Sequence, residues 1–149
     1  MDILCQIAKY KEDYIDLILC KLLDRFCLNK NLLESKGLKI LTKLCSVLPV
    51  IRVYTKFADV LTKMKDFEFI ASTLNILDIF MLTYKETEPL RISLKNLRKN
   101  LKEKSDTLVN VKEFFDKLFR AWSYNPVSTL ILCMMSEYFE LSYYLILKL

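Results

Sequence analysis

Apolar residues recur along the chain at steps of three and one or three and four, which places their side chains on one face of an α-helix. After a short helix predicted near Ile3 to Tyr10, the first clear stripe comprises Ile15, Ile18, Leu19, Leu22, Leu23 and Phe26. A second stripe, expected to open near Gly37 and to stop at Pro49, comprises Leu41, Leu44, Cys45 and Leu48. The third comprises Ile51, Tyr54, Phe57, Ala58, Leu61 and Met64. The first half of the chain is therefore predicted to form successive amphipathic helices.

The next helices carry capping signals at their starts. Asp66 is predicted to cap a helix whose stripe comprises Phe67, Ile70, Leu74, Leu77, Met81 and Tyr84. Pro89 falls where a first helical turn tolerates proline, and the stripe that follows it comprises Leu90, Leu94, Leu97 and Leu101. Ser105 or Asp106 should cap the helix that bears Val111, Phe114, Phe115, Leu118, Phe119 and Trp122.

The last two helices follow from a short corner motif. Asn125 and Pro126 match an N-cap and a first helical residue, and Val127 begins a helix that should reach about Ser136. A final helix is expected from Glu137 to Leu149. All three prolines then fall at helix boundaries, which is the agreement between local and global signals that a correct assignment should show.

The composition supports an all-α fold, because the chain has one glycine and three prolines and strands joined by tight turns would need more of both. About eight or nine helices with short connections favour antiparallel neighbours. Antiparallel pairs stacked as a HEAT- or armadillo-like solenoid are the leading prediction, and a globular bundle is the alternative. Residues 1–149 are interpreted as a single helical domain, part of a longer scaffold architecture.

Apolar residues make up 53% of the chain, more than one small globule needs to fill its core. The last helix is apolar along Tyr143 to Leu149 and lacks the polar face of a capping repeat. We therefore expect that the chain is a piece of a longer protein or that this end docks on a partner. The candidate contact residues are Tyr143, Leu145 and Ile146.

Enzymatic chemistry has little support in the sequence. The chain has no histidine, the commonest general base, and a single glycine does not supply a phosphate-binding loop. Carboxylates such as Glu12, Asp16 and Glu68 lie among lysines on polar helix faces, and no second acid was expected in an apolar setting. The five cysteines show no CxxC spacing, which favours free thiols in a reducing compartment. We expect no catalytic residues, no metal site and no cofactor.

The positive charge is concentrated in one segment. Arg91 to Lys104 holds six basic residues and one acid, a net charge of +5 that equals that of the whole chain. The basic stripe comprises Arg91, Lys95, Arg98 and Lys102, on the side of the helix opposite its leucines. It is either a solvated face or a contact for an acidic protein or an anionic membrane, and a nucleic-acid footprint is the least favoured interpretation.

The segment from Arg120 to Val127, with Trp122, Asn125 and Pro126 in a W-x-x-N-P-V core, resembles the C-terminal region of the Vac-fourteen scaffold family. Leu132-Cys133 and a Y-x-L-I-x-K pattern at residues 143–148 follow in the family's order. Upstream similarity begins near Leu32 and continues through the Ala71-Ser72-Thr73 and Leu90-Arg91 segments. Ala121, Ser123 and Tyr124 differ from the family pattern. The motif is interpreted as a structural corner in which Trp122 closes one helix and Asn125 and Pro126 start the next.

The resemblance implies a non-enzymatic HEAT-repeat-like scaffold at endosomal or vacuolar membranes. Such a scaffold joins a phosphatidylinositol-3-phosphate 5-kinase to a Sac-type phosphoinositide phosphatase, and it supports synthesis and turnover of phosphatidylinositol 3,5-bisphosphate. The region resembled implies phosphatase binding and self-association, with engagement of the kinase left in doubt. The expected location is cytoplasmic and peripheral to those membranes. The alternative is a helical domain that binds nucleic acid or an anionic membrane through the basic stripe.

Overall fold

The computed structural model describes the backbone of residues 12–100 and 106–148. Over these residues it contains eight α-helices and one 3₁₀ turn. The helices are α1 (Glu12–Leu28), α2 (Lys30–Val47), α3 (Val50–Lys63), α4 (Phe67–Thr83), α5 (Glu88–Asn100), α6 (Asp106–Trp122), α7 (Pro126–Met135) and α8 (Phe139–Lys148), with the 3₁₀ turn at Lys85–Thr87 between α4 and α5. The all-α prediction is confirmed. The helix predicted near residues 3–10, the cap at Ser105 and residues Leu101 and Leu149 lie outside the described residues.

The helices pack in two rows, as in a helical solenoid. One row runs from α1 through α3 to α6, and the other runs from α2 through α4 to α7, with α8 packed on α7. Helix α5 contacts both rows, and the contact between α3 and α6 is the most extensive. This arrangement confirms the predicted solenoid, in which each helix buries its apolar stripe against the neighbouring pairs.

Capping chemistry sets several helix ends. Asp66 caps α4 because its carboxylate accepts a hydrogen bond from the backbone N–H of Phe69 at 3.1 Å, as the sequence predicted. Asn29 caps α2 in the same way by accepting from the N–H of Leu32 at 3.2 Å. Pro49 separates α2 from α3, again as predicted. The starts of α2 and α4 follow from orphan amide groups that a nearby side chain satisfies, whereas α3 begins after Pro49 without a side-chain cap.

The predicted start of the second helix near Gly37 is wrong, because α2 begins at Lys30 and Gly37 is buried inside it. A Cβ at this position would lie 3.4 Å from Leu33 Cδ1 and 3.5 Å from Ile76 Cδ1 of α4. These are ordinary contact distances, so Gly37 lies in the packed face of α2 toward α4 and does not mark a helix boundary.

The final helix starts two residues later than predicted, at Phe139. Glu137 has a φ of 60°, in the left-handed region, so it belongs to the turn that ends α7. The N–H of Glu137 donates to the carbonyl of Met134 and that of Tyr138 donates to the carbonyl of Cys133, which closes the turn. This turn fixes the direction in which α8 leaves α7.

Candidate docking site

The predicted corner between α6 and α7 is formed by local hydrogen bonds. Asn125 caps α7 by accepting from the N–H of Val127 at 3.0 Å, and Pro126 occupies the first turn. The Thr129 hydroxyl, one turn further on, lies 2.8 Å from the carbonyl of Trp122 and 2.9 Å from that of Asn125. The corner therefore fixes the orientation of the start of α7 relative to the end of α6.

Trp122 joins this corner to the core of the fold. Its side chain is fully buried, and its indole N–H donates to Asp78 Oδ1 of α4 at 2.8 Å. The Ser128 hydroxyl of α7 donates to the other carboxylate oxygen, Asp78 Oδ2. The ring of Trp122 also stacks on Tyr54 of α3, with centroids 6.1 Å apart. A single buried carboxylate thus ties α6 and α7 to α4.

Asp78 was missed in the sequence, where no acid was expected in an apolar setting. It is only 4% exposed, and desolvation raises the pKa of its carboxyl, opposed by the hydrogen bonds from Ser128 and Trp122. A signal was available, since Asp78 follows Leu74 by four residues and so lies within the apolar stripe of α4. A buried tryptophan also needs an acceptor for its N–H. Enclosed by donors, this carboxylate serves to hold the corner.

The surface beside the corner carries exposed apolar side chains. Val127 is largely exposed, and Tyr124 packs against Phe67 at the start of α4, with ring centroids 5.9 Å apart. Phe67 was predicted to lie on the apolar stripe of α4, but it is 67% exposed, whereas Phe69 and Ile70 in the same turn are fully buried. Among the corner residues, Trp122 is therefore enclosed and Val127 faces solvent.

Helix α8 presents the candidate contact residues. Tyr143 is 60% exposed, Ile146 is 54% exposed, and Leu145 between them is partly buried. Further apolar side chains on this helix are also exposed, namely Phe139, Leu141, Tyr144 and Leu147. Ser142 is the buried residue of the helix, and its hydroxyl lies 2.9 Å from the carbonyl of Tyr138. One side of α8 is fixed to α7, and the rest forms an apolar surface.

The two residues of the basic stripe whose side chains the structure describes, Arg91 and Lys95, have different surroundings. The guanidinium Nη1 of Arg91 donates to the carbonyls of Met81 and Tyr84, both at 2.8 Å, so it serves the end of α4. It also donates to the Thr87 hydroxyl at 2.7 Å. Lys95 is exposed, whereas the Arg98 side chain and Lys102 lie outside the part that the structure describes. Arg91, predicted as a member of the basic stripe, therefore also holds the end of α4 through its Nη1, and the role of the stripe stays a prediction.

Metal-binding chemistry finds no geometric support within residues 12–100 and 106–148, where no three His, Cys, Asp or Glu side chains lie close enough to hold an ion. The four described cysteines, Cys20, Cys27, Cys45 and Cys133, are free thiols. Burial raises the pKa of the Cys45 thiol to about 12 and also raises that of Cys133. Both thiols therefore stay protonated at neutral pH, which makes them poor nucleophiles and poor ligands.

No single helix in the described ranges is long and apolar enough to cross a bilayer. Helix α4 passes such a test only together with residues 85–97, and the two are bent by 88° relative to each other.

Comparison with known proteins gives consistent matches. Residues 30–149 match a family described as "Vacuolar protein 14 C-terminal Fig4p binding". The chain is 30% identical over 141 residues to the Vac14 homologue of Schizosaccharomyces pombe, covering 94% of the chain and 16% of that protein. It is 28% identical over 132 residues to the vacuole morphology and inheritance protein 14 of Saccharomyces cerevisiae, covering 89% of the chain and 14% of that protein.

The Vac14 homologue of Arabidopsis thaliana is 27% identical over 136 residues, which cover 90% of the chain and 17% of that protein. The chain thus spans about a sixth of the length of these relatives. No solved structure matches it.

Proposed function

Because the chain belongs to the family of Vacuolar protein 14 C-terminal Fig4p-binding domains, we propose that it is a non-enzymatic helical scaffold that binds a Sac-type phosphoinositide phosphatase. Through that partner it supports the regulation of phosphatidylinositol 3,5-bisphosphate synthesis and turnover. The lipid chemistry belongs to the partner, and this chain supplies the surface that holds it. The family description names Fig4p binding for the domain that residues 30–149 match.

The observation that carries the proposal is the apolar surface of α8. Tyr143 and Ile146 are three residues apart, so they lie on one face of the helix, and both are more than half exposed. Aromatic and large aliphatic side chains at the centre of an interface account for most of the binding energy in protein complexes. An exposed apolar pair of this kind, on a short helix packed against α7, could be buried by a helix or a sheet face of a partner.

The corner between α6 and α7 supports this role, because it fixes the position of α7, the helix on which α8 packs. Ser128 of α7 donates to the buried carboxylate of Asp78, which anchors α7 to the core, and the turn at Glu137 sets the path from α7 to α8. A preorganised surface loses less conformational entropy on binding than a mobile one does. The scaffold therefore offers its apolar residues in a fixed arrangement.

Three finer parts of the proposal rest on family membership. Self-association, engagement of the phosphatidylinositol-3-phosphate 5-kinase and a location at endosomal or vacuolar membrane extend it to the wider assembly. The name of the budding yeast relative, which refers to vacuole morphology and inheritance, supports the vacuolar location. The later part of the basic stripe, at Arg98 and Lys102, stays the surface that we assign to anionic membrane contact.

Co-purification of the chain with the phosphatase tests the proposal. The variant Tyr143→Ala/Ile146→Ala should lose roughly 2–4 kcal/mol of binding free energy, or about 30- to 700-fold in affinity, since two large apolar side chains no longer become buried. The matched control is Tyr14→Ala/Leu17→Ala on α1, a pair with the same spacing and comparable exposure. If the folded α8 variant binds as tightly as the wild type does, the assignment of this surface is wrong.

A further inference from the structure

A groove of about 440 Å³ lies beside the proposed docking surface, between α5 and the turn that joins α7 to α8. Its apolar lining includes Ile92, Met134 and Phe139, each more than half exposed. Met135 lines the same groove, and the flexible thioether side chains of methionine adapt readily to different bound shapes. The groove therefore has the apolar lining and the adaptability of a pocket that receives one large side chain.

The groove is continuous with the surface of α8. Phe139 lines the groove and precedes Tyr143 by four residues and Ile146 by seven, so the three share one helix face. They extend about 10 Å along the helix axis, given a rise of about 1.5 Å per residue. A partner that covers Tyr143 and Ile146 thus meets the mouth of the groove.

Charged residues on α5 place a negative charge at one end of the groove and a positive charge at the other. Glu88, in the first turn of α5, and Lys95, two turns later, both line it, about 10 Å apart along the axis. Lys95 is exposed and forms no ion pair with any residue that the structure describes. Arg91 between them donates to the carbonyls at the end of α4. Glu137 lines the groove on the α7 to α8 side.

We propose that this groove receives an amphipathic helix of the Sac-type phosphatase, with an apolar side chain inserted against Ile92, Met134 and Phe139. An acidic residue of that helix pairs with Lys95, and a basic residue about two turns away faces Glu88. This charge order complements that of α5 and fixes the direction in which the helix lies. The proposal rests on the proposed function, because it names the segment that the same partner contributes.

The test compares two single variants of the whole chain with matched controls. Ile92→Ala and Lys95→Glu should each weaken binding to the purified phosphatase about tenfold, by removing an apolar anchor and by reversing an interfacial charge. Leu17→Ala and Lys21→Glu on α1, at exposed positions of the same types, should leave the affinity unchanged. The effect of Lys95→Glu should decrease as salt is added, whereas that of Ile92→Ala should not.

The outcomes separate the two proposals. If Tyr143→Ala/Ile146→Ala loses binding while both α5 variants bind as the wild type does, the groove proposal is wrong and the proposed function stands. If the α5 variants change only self-association in sedimentation, or only binding to vesicles of anionic lipid, the occupant is a second copy or a membrane and the groove proposal is again wrong. If the wild-type chain does not bind the phosphatase, both proposals fail.

Discussion

The buried Asp78 carboxylate allows a stringent test of the fold, because two donors from two other helices converge on it. Replacing Asp78 with alanine leaves the indole N–H of Trp122 and the hydroxyl of Ser128 without an acceptor in a site closed to water. Each stranded donor costs about 1–3 kcal/mol. The variant also removes the cost of burying a charge, which offsets part of this loss. We expect a net destabilisation of about 2–4 kcal/mol, a large share of the roughly 5–15 kcal/mol that stabilises an ordinary domain.

Replacing Asp78 with asparagine should have a much smaller effect. The amide oxygen still accepts from Trp122, and the amide nitrogen donates to the Ser128 hydroxyl, which then acts as the acceptor. The buried charge is gone, so this variant should lie within about 1 kcal/mol of the wild type or be more stable. Comparing the two variants therefore separates the contribution of the hydrogen bonds from that of the charge.

The difference in stability between Asp78→Asn and the wild type should depend on pH, and the pKa of Asp78 sets its direction. Desolvation raises the folded-state pKa of Asp78 above the ordinary value of 3.8, so the folded chain binds a proton at pH values where the unfolded chain has released it. The ionised carboxylate thus costs stability at neutral pH, and this cost is relieved as the pH falls through the folded-state pKa. The advantage of Asp78→Asn over the wild type should be greatest at neutral pH and should shrink toward pH 4.

Urea unfolding followed by tryptophan fluorescence measures these effects, because Trp122 is the chain's single tryptophan and its indole N–H donates to Asp78. Circular dichroism serves as the second probe, and coincident transitions establish two-state behaviour. An unfolding free energy of Asp78→Ala within about 0.5 kcal/mol of the wild type would refute the structural role of the Asp78 hydrogen bonds, since that is the range of ordinary surface substitutions. Equal damage in Asp78→Ala and Asp78→Asn would show that the charge itself is required.

Two further predictions concern stability. Gly37→Ala should raise the free energy of unfolding by about 0.5–1 kcal/mol, as measured by urea titration. The added Cβ meets Ile76 at ordinary contact distance, and alanine favours the helix more than glycine does. A loss of stability above about 1 kcal/mol would mean that α2 and α4 lie closer together than described. Arg91→Met should lower the thermal midpoint, with a cost of about 1.5–3 kcal/mol from lost charged hydrogen bonds to the end of α4. An unchanged midpoint in Arg91→Met would show that these hydrogen bonds do not stabilise the fold and that Arg91 acts only as a residue of the basic stripe.

The helix ends could be predicted from sequence because their causes are local. The capping carboxylate of Asp66 lies three residues from the amide that it binds, and Asn125 lies two residues from its own. Pro49 and Pro126 impose their backbone angles on themselves and their neighbours. A periodic stripe likewise depends only on residues within one helix, which is why the all-α solenoid was predicted without coordinates.

The features that the sequence did not reveal depend on residues far apart in the chain. Gly37 was taken for a boundary because its neighbour Ile76 lies thirty-nine residues away. Asp78 finds its donors 44 and 50 residues later, so its burial depends on how α4 meets α6 and α7. The groove likewise is lined by residues of α5 and of the α7 to α8 turn, which are far apart in the chain.

Hydrogen exchange of the chain, free and bound to the Sac-type phosphatase, tests the central claim most directly. The account predicts slower exchange on binding for the backbone amides of α8 and the turn before it, with α1 unchanged. Protection confined to α1, or no change anywhere in a complex known to have formed, would contradict the claim that α8 is the surface on which this scaffold holds its partner.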